Sequence, residues 1–571
     1  MIVKQISIHI DFLNKIDPIK NIIDNLNINN NTNTVTFLID SKRIKELDKL
    51  NLKYKIIHNN VTEHYKNRLI NYKSRVVTDI NIFGSMGHYM TFQEIVNKLD
   101  LLHEQFPQFI SKKMSIGKSI EGRDIWILHV SSKSLNDWKD KPEVLITGLH
   151  HSREVITYTS ILYYIEWICK NYNTDSEAKH ILDKTHLWFV PCLNPDGLVY
   201  NQNISKDGGG LFRKNRRPNT DNPDYYGVDL NRNYSYKWKL NESGSSSSPD
   251  SYQFRGTREF SEPETWALAL FVKSRNIVLN INHHSFGNAL LHPYGFSLNN
   301  DLEKYEEKCY TNLSKFVTEK LPHYSYGSGG EIYYPANGDA SDWFHHKEHD
   351  KKCILSFTTE LGSNEDGFWP SPNRIIPICQ DAKIITNRLC LLCQPYYTIT
   401  HKTNNDKIIL TIKNIGCVDP KKDSDFIVNY DENIIELEQH KWQLKINSNN
   451  ETKLTIPIHF IHQYFIKTQF SIEIIDDENK LYKPYTFDIY NKTYLHDNPE
   501  LSRVDANILL DYQNNKLNTI KSIDNYSLDD TIKLYLDVDN QKTLENIINK
   551  SDSSTPLNSS YISNILDSIY N

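Results

Sequence analysis

Val144-Leu145-Ile146-Thr147-Gly148-Leu149-His150-His151-Ser152-Arg153-Glu154 runs from an unbroken apolar stretch into a polar turn, and a helical pattern follows it. A continuous apolar run suits a strand buried on both faces, as in a parallel sheet. The abrupt change to polar residues at its carboxyl end suits the place where such sheets hold an active site. His and Glu are both good zinc ligands, and a catalytic zinc takes three protein ligands with one position left open. The three-residue spacing to Glu154 selects His151, although His150 is nearer the strand. One His-x-x-Glu in a chain with 22 His arises readily by chance, so it needs a partner elsewhere. A second apolar run, Ile277 to Asn282, ends in His283-His284-Ser285-Phe286. If these are neighbouring strand ends, His151, Glu154 and His284 meet on one ion.

Further blocks follow in order: Leu193-Asn194-Pro195-Asp196-Gly197, Phe212-Arg213-Lys214-Asn215-Arg216, Gly227-Val228-Asp229-Leu230-Asn231-Arg232-Asn233, His292-Pro293-Tyr294-Gly295, Tyr334-Pro335-Ala336-Asn337-Gly338 running to Asp342-Trp343, and Phe357-Thr358-Thr359-Glu360-Leu361-Gly362. With the opening motif they resemble the zinc metallocarboxypeptidase family (funnelins), typified by pancreatic carboxypeptidases A and B and including bacterial relatives of mixed specificity. The likeness runs from near Gly87 to about Gln394, a little over half of the chain.

The resemblance implies zinc, one ion per chain, on His151, Glu154 and His284, and removal of C-terminal amino acids from peptides or proteins. Glu360 ends the apolar strand pattern Ile354 to Thr359; partial burial there would raise its pKa toward working pH, as a general base requires. The family has its catalytic glutamate at this position. Arg213 matches the arginine that steadies the oxyanion, while Arg216 and Arg217 are expected to be solvated. A free terminal carboxylate calls for a planar, forked donor, and the resemblance gives that clamp to Asn231, Arg232 and Tyr334. Arg153 matches a further substrate contact, Asp229 a carboxylate behind a zinc histidine, and Phe368 an aromatic beside the substrate or in the core. Ser341 falls at the main specificity position. Asp339, two residues before it, could meet a basic side chain or simply cap a turn, with Gly295, Gly329 and Ala336 leaving room.

The expected fold is α/β: a mixed, mostly parallel twisted sheet with helices on both faces, spanning 84–396. Residues 1–75 read as a small α+β, propeptide-like segment, with strands at 3–10, 34–39 and 52–57 and helices at 18–27 and 42–50. Such a segment could cover the cleft and be cut in the basic stretch Lys66 to Arg75, or serve only as a permanent folding aid. Short alternating runs after Pro395 predict a β-sandwich-like domain over 397–492, and 499–571 reads as weakly packed helices or partial disorder.

A chain of 571 residues is too long for one core. A net charge of −6 gives no case for nucleic acid. No apolar run approaches the roughly 20 residues of a membrane span, and the start lacks the pattern of a signal peptide. Cys390-x-x-Cys393 fits a helical core. Eight cysteines, with Ser245 to Ser251 where secreted relatives often carry a disulfide, favour an intracellular, reducing compartment. A monomer is expected. Two other readings stay open: a hydrolase of the same fold acting on γ-linked or branched amino acids, as in peptidoglycan fragments or polyglutamylated tails, and a non-catalytic binding protein.

Overall fold

The computed structural model describes residues 2–490 apart from 21, 30–31, 73–78, 133–140, 220–225, 300, 349, 404–406, 462–466 and 477–478. The chain divides into two compact units, Met1–Gln394 and a second beginning at Pro395. The expected tail, 499–571, lies outside the described residues, as do Lys73 and Arg75.

The first unit opens with a four-stranded antiparallel sheet: β1 (Val3–His9), β2 (Ile23–Asn29), β3 (Thr34–Asp40) and β4 (Tyr54–His58), in the order β2-β3-β1-β4. Ile6, Ile8, Val35, Phe37 and Ile39 form its core. The helix expected over 18–27 is not found: Pro18 and Ile19 instead close a 3-10 helix from Ile10, and residues 23–27 are strand. Ile23–Asn29 pairs with β3, because Ile23, Leu26 and Ile28 set among weak helix formers such as Asn extend readily once a neighbour supplies ladder bonds. A helix that sequence patterning had not indicated, α1 (Val61–Ile70), follows, capped by Asn60, whose side chain accepts from Glu63 N.

The main sheet has eight strands: β5 (Met114–Lys118), β6 (Asp124–Val130), β7 (Glu143–Thr147), β8 (His186–Val190), β9 (Ile277–His284), β10 (Ala289–His292), β11 (Ser325–Ser328) and β12 (Leu355–Glu360). Their order is β11-β10-β12-β9-β7-β8-β6-β5. The four pairings β11-β10, β12-β9, β9-β7 and β7-β8 are parallel and the other three antiparallel, so the sheet is mixed with a parallel centre. Every residue of β7 and β8 is buried, which is why the opening motif begins as an unbroken apolar run. Two long helices, α2 (Ile156–Lys170) and α5 (Pro372–Leu392), pack together. Cys390 and Cys393 lie in the buried face of α5 and at its end. Between α2 and α5 come α3 (Lys304–Thr318) and α4 (Ala340–His345).

The second unit holds a three-stranded sheet (397–403, 407–414, 451–457) and a four-stranded one (424–429, 441–444, 467–476, 479–490). Both contribute to one apolar cluster containing Leu410, Ile412, Phe426, Phe470 and Ile472, the arrangement of a sandwich. Among the described residues no helix is long and apolar enough to cross a membrane.

Candidate active site

Strand register assembles the site. Glu360 pairs with His284 across the parallel β12-β9 ladder, so two strands end level with each other. Thr147 pairs with Asn282, two residues before His284, and the turn after β7 therefore starts beside that histidine. The turn is tied down throughout. Gly148 N donates to Val190 O (3.0 Å), Leu149 N to Thr157 Oγ1 (3.0 Å), Ser152 N to Arg213 O (3.0 Å), and Asn194 Nδ2 to His150 O (3.1 Å). Leu149 adopts a left-handed φ of 56°, which an Asn or Gly would accept more easily. Its fully buried side chain and these bonds hold it there.

His151 Nδ1 lies 2.7 Å from Glu154 Oε1, and His284 Nδ1 lies 2.9 Å from Glu154 Oε2 and 3.1 Å from His151 Nδ1. Zinc bonds of about 2.0–2.2 Å in a tetrahedron separate ligand atoms by about 3.3 Å, so the cluster fits one ion after small spreading. Of these ring atoms, the far nitrogen of His151 meets Asp229 Oδ1 at 3.0 Å, the usual device for fixing a ligating imidazole. The Asn282 carboxamide stands 3.1 Å from His284 Nε2 and can present either end there. His150 turns away, its Nε2 2.8 Å from Tyr234 Oη. His151, Glu154 and His284 are all buried.

Arg213 is buried and forks onto Asp229 Oδ2 through Nη2 (2.8 Å) and Nε (3.1 Å), with Nη1 3.8 Å from Glu154. Burial alone would raise the Asp229 pKa, but the charges of Arg213 and His151 outweigh it and hold the carboxyl well below the usual range. Glu360 goes the other way: burial, then the nearby Glu154 charge, push it well above that range.

His151, Glu154, His284, Arg213 and Glu360 line one cleft of about 370 Å³ together with Asn231, Arg232, Tyr334, Asp339, Ser341 and Phe368. Arg232 is buried; Nη1 donates to Asn231 O (2.7 Å) while Nε has no hydrogen-bond partner. Tyr334, at the cleft, remains 39% exposed. Asp339 has the structural role weighed for it: its Oδ1 caps α4 by accepting from Ser341 N (2.8 Å) and Asp342 N (3.3 Å), and Oδ2 accepts from Asn231 Nδ2 (2.7 Å). Ser341 Oγ donates to Ser356 Oγ (2.9 Å). Phe368 is both core and cleft wall, 3% exposed with the Arg153 guanidinium 3.9 Å above its ring.

Two expectations need correction. Arg216 and Arg217 are not simply solvated. Arg217 Nε pairs with buried Glu262 (2.7 Å), and the Arg216 guanidinium lies between the rings of Tyr200 (4.0 Å) and Tyr226 (4.2 Å). Lys66 and Arg68 are not an open cutting site either. Both lie in α1, Lys66 3.3 Å from Asp207, and Arg68 donating to the carbonyls of Glu365 (2.9 Å), Asp366 and Trp369.

Sequence reasoning missed two carboxylates of this cleft. Asp342 lines it and accepts from Gly295 N (2.8 and 3.0 Å) and Phe296 N (3.2 Å); its place beside Trp343 was the available signal. Asp24 comes from the N-terminal sheet. A bulge in β2 between Asp24 and Asn27, with Asn25 at φ 50°, turns the Asp24 carboxylate onto Arg153. Burial opposes the Asp24 charge, but Arg153 and Arg213 outweigh it and lower the pKa. No local pattern announces such a contact.

The zinc carboxypeptidase family profile matches residues 95–384. Mouse carboxypeptidase A1 is 31% identical over 317 residues, 55% of this chain and 71% of that protein. Metallocarboxypeptidase A of Arthroderma otae is 32% identical over 317 residues, 54% and 71% respectively. Among solved structures, thrombin-activatable fibrinolysis inhibitor superposes with a TM-score of 0.55 at 23% identity, covering 68% of this chain and 98% of that one. Carboxypeptidase A from Helicoverpa armigera gives 0.54 at 24%, covering 68% and 96%. These two structures share the fold.

Proposed function

The chain belongs to the zinc carboxypeptidase family, and from that premise we propose that Glu360 is the general base, Arg213 the oxyanion partner, and Asn231, Arg232 and Tyr334 the clamp on a free C-terminal carboxylate. Zinc on His151, Glu154 and His284 supplies Lewis acidity, polarising a carbonyl and acidifying water. Glu360, raised by burial and by Glu154, is suited to take a proton from the attacking water and return it to the departing amine. Arg213, fixed by Asp229, stays charged and aimed without reorganising when negative charge develops.

The observation that carries the exopeptidase reading is Arg232: a buried guanidinium whose Nε has no partner, in the same cleft as the ligand triad. A terminal carboxylate supplies what that fork lacks. Asp339, spent on capping α4 and on Asn231, supports a pocket set by space and by Ser341 more than by its charge. The test is a terminal-residue scan on a peptide library with the full chain. Release of single C-terminal residues supports the reading. Cleavage within amide-blocked peptides overturns it, and a strong preference for γ-linked or branched residues would favour the same-fold alternative.

We also propose that residues 1–75 restrain the enzyme. Asp24 through Ile28 line the cleft, and Asp24 occupies Arg153, a group assigned here to substrate. If activation requires cutting within the basic stretch Lys66 to Arg75, Lys66 and Arg68 are already engaged by the first unit, and Lys73 and Arg75 are the positions to substitute. A monomeric, intracellular enzyme completes the proposal; sedimentation and cell fractionation test those two points.

A further inference from the structure

Away from the cleft, three side chains of metal-binding type converge where α3, α4 and the strand entering β12 meet. Glu306 comes from α3, His345 ends α4 and Cys353 precedes β12. A ring nitrogen, the thiol sulfur and a carboxylate oxygen lie within 4.8 Å of one another. His345 Nδ1 is 3.5 Å from Cys353 Sγ, and Nε2 is 3.6 Å from Glu306 Oε1. A tetrahedral zinc bound by sulfur at about 2.3 Å and nitrogen at about 2.05 Å holds those two atoms about 3.5 Å apart. The imidazole is 5% exposed and held by Tyr310, whereas the Glu306 side chain is 37% exposed and Cys353 is open to solvent. One ligand is therefore preset and the other two can adjust to an arriving ion.

We propose that Glu306, His345 and Cys353 form a second metal site, taking one soft divalent cation, zinc or cadmium, through His345 Nδ1, the Cys353 thiolate and the Glu306 carboxylate, which turns from the Nε2 edge of the ring to the Nδ1 edge on binding. The thiol proton is released to solvent on binding. Thiolate distinguishes this site from the catalytic His-Glu-His set, because sulfur selects softer metals.

The site also has a path to the specificity pocket. His345 Nδ1 lies 3.1 Å from Tyr310 Oη, which accepts from Ser356 N (3.2 Å), and Ser356 Oγ lies 2.9 Å from Ser341 Oγ. An ion on Nδ1 displaces the Tyr310 phenol, so occupancy shifts the hydroxyl pair under the terminal side chain. On the proposed peptidase reading, that alters KM for C-terminal peptides more than kcat.

The experiment is titration of the zinc-loaded full chain with cadmium, followed by sulfur-to-metal charge-transfer absorbance. A band that saturates with one further ion per chain, is lost in Cys353→Ser, is weakened in Glu306→Gln and persists in Cys309→Ser supports the site. No band in the unmodified chain, or one that survives Cys353→Ser, overturns it. Folding of the variants is checked by circular dichroism, and the exposed position of Cys353 makes serine tolerable there. If the band forms while KM stays fixed, the link to Ser341 is overturned.

Discussion

The cleft at the carboxyl ends of the main sheet and the sandwich after Pro395 solve opposite problems. Around the cleft His151, Glu154, Arg213, Asp229, Arg232 and His284 are all buried. In the sandwich the buried apolar set is Ile, Leu, Val, Phe and Tyr, joined by the neutral Asn414, Ser424 and Thr468, and Lys467, paired with Asp488 at 3.0 Å, is the one buried side chain there of Lys, Arg, Asp, Glu or His type among the described residues. Burying charge is costly unless each charge is paired and hydrogen-bonded. The cleft bears that cost in a chain of polar contacts, the Arg213–Asp229 ion pair continuing through His151 and Glu154 to His284. The sandwich avoids it by alternation, as in 407–414, where every second residue is buried. The contrast separates residues kept for chemistry from residues kept for stability.

Glu360→Gln tests the contrast most severely. Turnover on a C-terminal peptide should fall by about 10²–10⁴-fold while bound zinc stays constant, and full activity would overturn the assignment. On the stability side, Phe470→Ala removes a fully buried ring from the sandwich core. It should cost about 3–5 kcal/mol in denaturant unfolding of that unit; a loss below 1 kcal/mol would mean the cluster is not the core described. Arg213→Ala should lower kcat by about 10²–10³-fold with a smaller change in KM. An equal loss confined to KM would make Arg213 a ground-state contact.

Glu264 carries buried charge away from the cleft, and burial raises its pKa to about 7. The folded state therefore holds a proton that the unfolded state has lost above the ordinary carboxylate range. Stability is greatest below that range and declines as pH climbs to about 7, by up to about 3 kcal/mol. Glu264→Gln should flatten this slope in melts run between pH 4.5 and 8. Asp24 has the opposite sign: its pKa is lowered, so the pair with Arg153 persists above the ordinary aspartate range and is lost as pH falls through the lowered value. Asp24→Asn should give the smallest effect, a few-fold gain in peptide turnover by the full chain at neutral pH. An unchanged rate would mean that the N-terminal segment is only a folding aid.

Much of the site could be read from the chain because chemistry there is concentrated in short blocks. His151, Glu154, His284 and Glu360 each follow or end an apolar run, so strand ends were visible before any pairing was known. The N-terminal segment was less legible. Residues 23–28 scatter Ile23, Leu26 and Ile28 among Asp24, Asn25 and Asn27, a mixture that local propensity resolves poorly, and pairing with β3 decided for strand. Asp339 shows the same limit at a single residue, since its use as a cap depends on where Asn231 and α4 stand.

The sequence by itself placed the candidate zinc ligands at the ends of two apolar runs and marked the alternating strands of the sandwich, because residue type and spacing along short segments carry both, while the roles proposed for Glu360 and Arg232 came with the family resemblance. Tertiary structure alone decided that His150 turns to Tyr234, that Arg216 lies between two tyrosines, that Asp24 reaches Arg153, and that Glu306, His345 and Cys353 share a corner. Those four facts depend on side chains far apart in the chain, brought together by strand register and helix packing, and no local pattern carries that information.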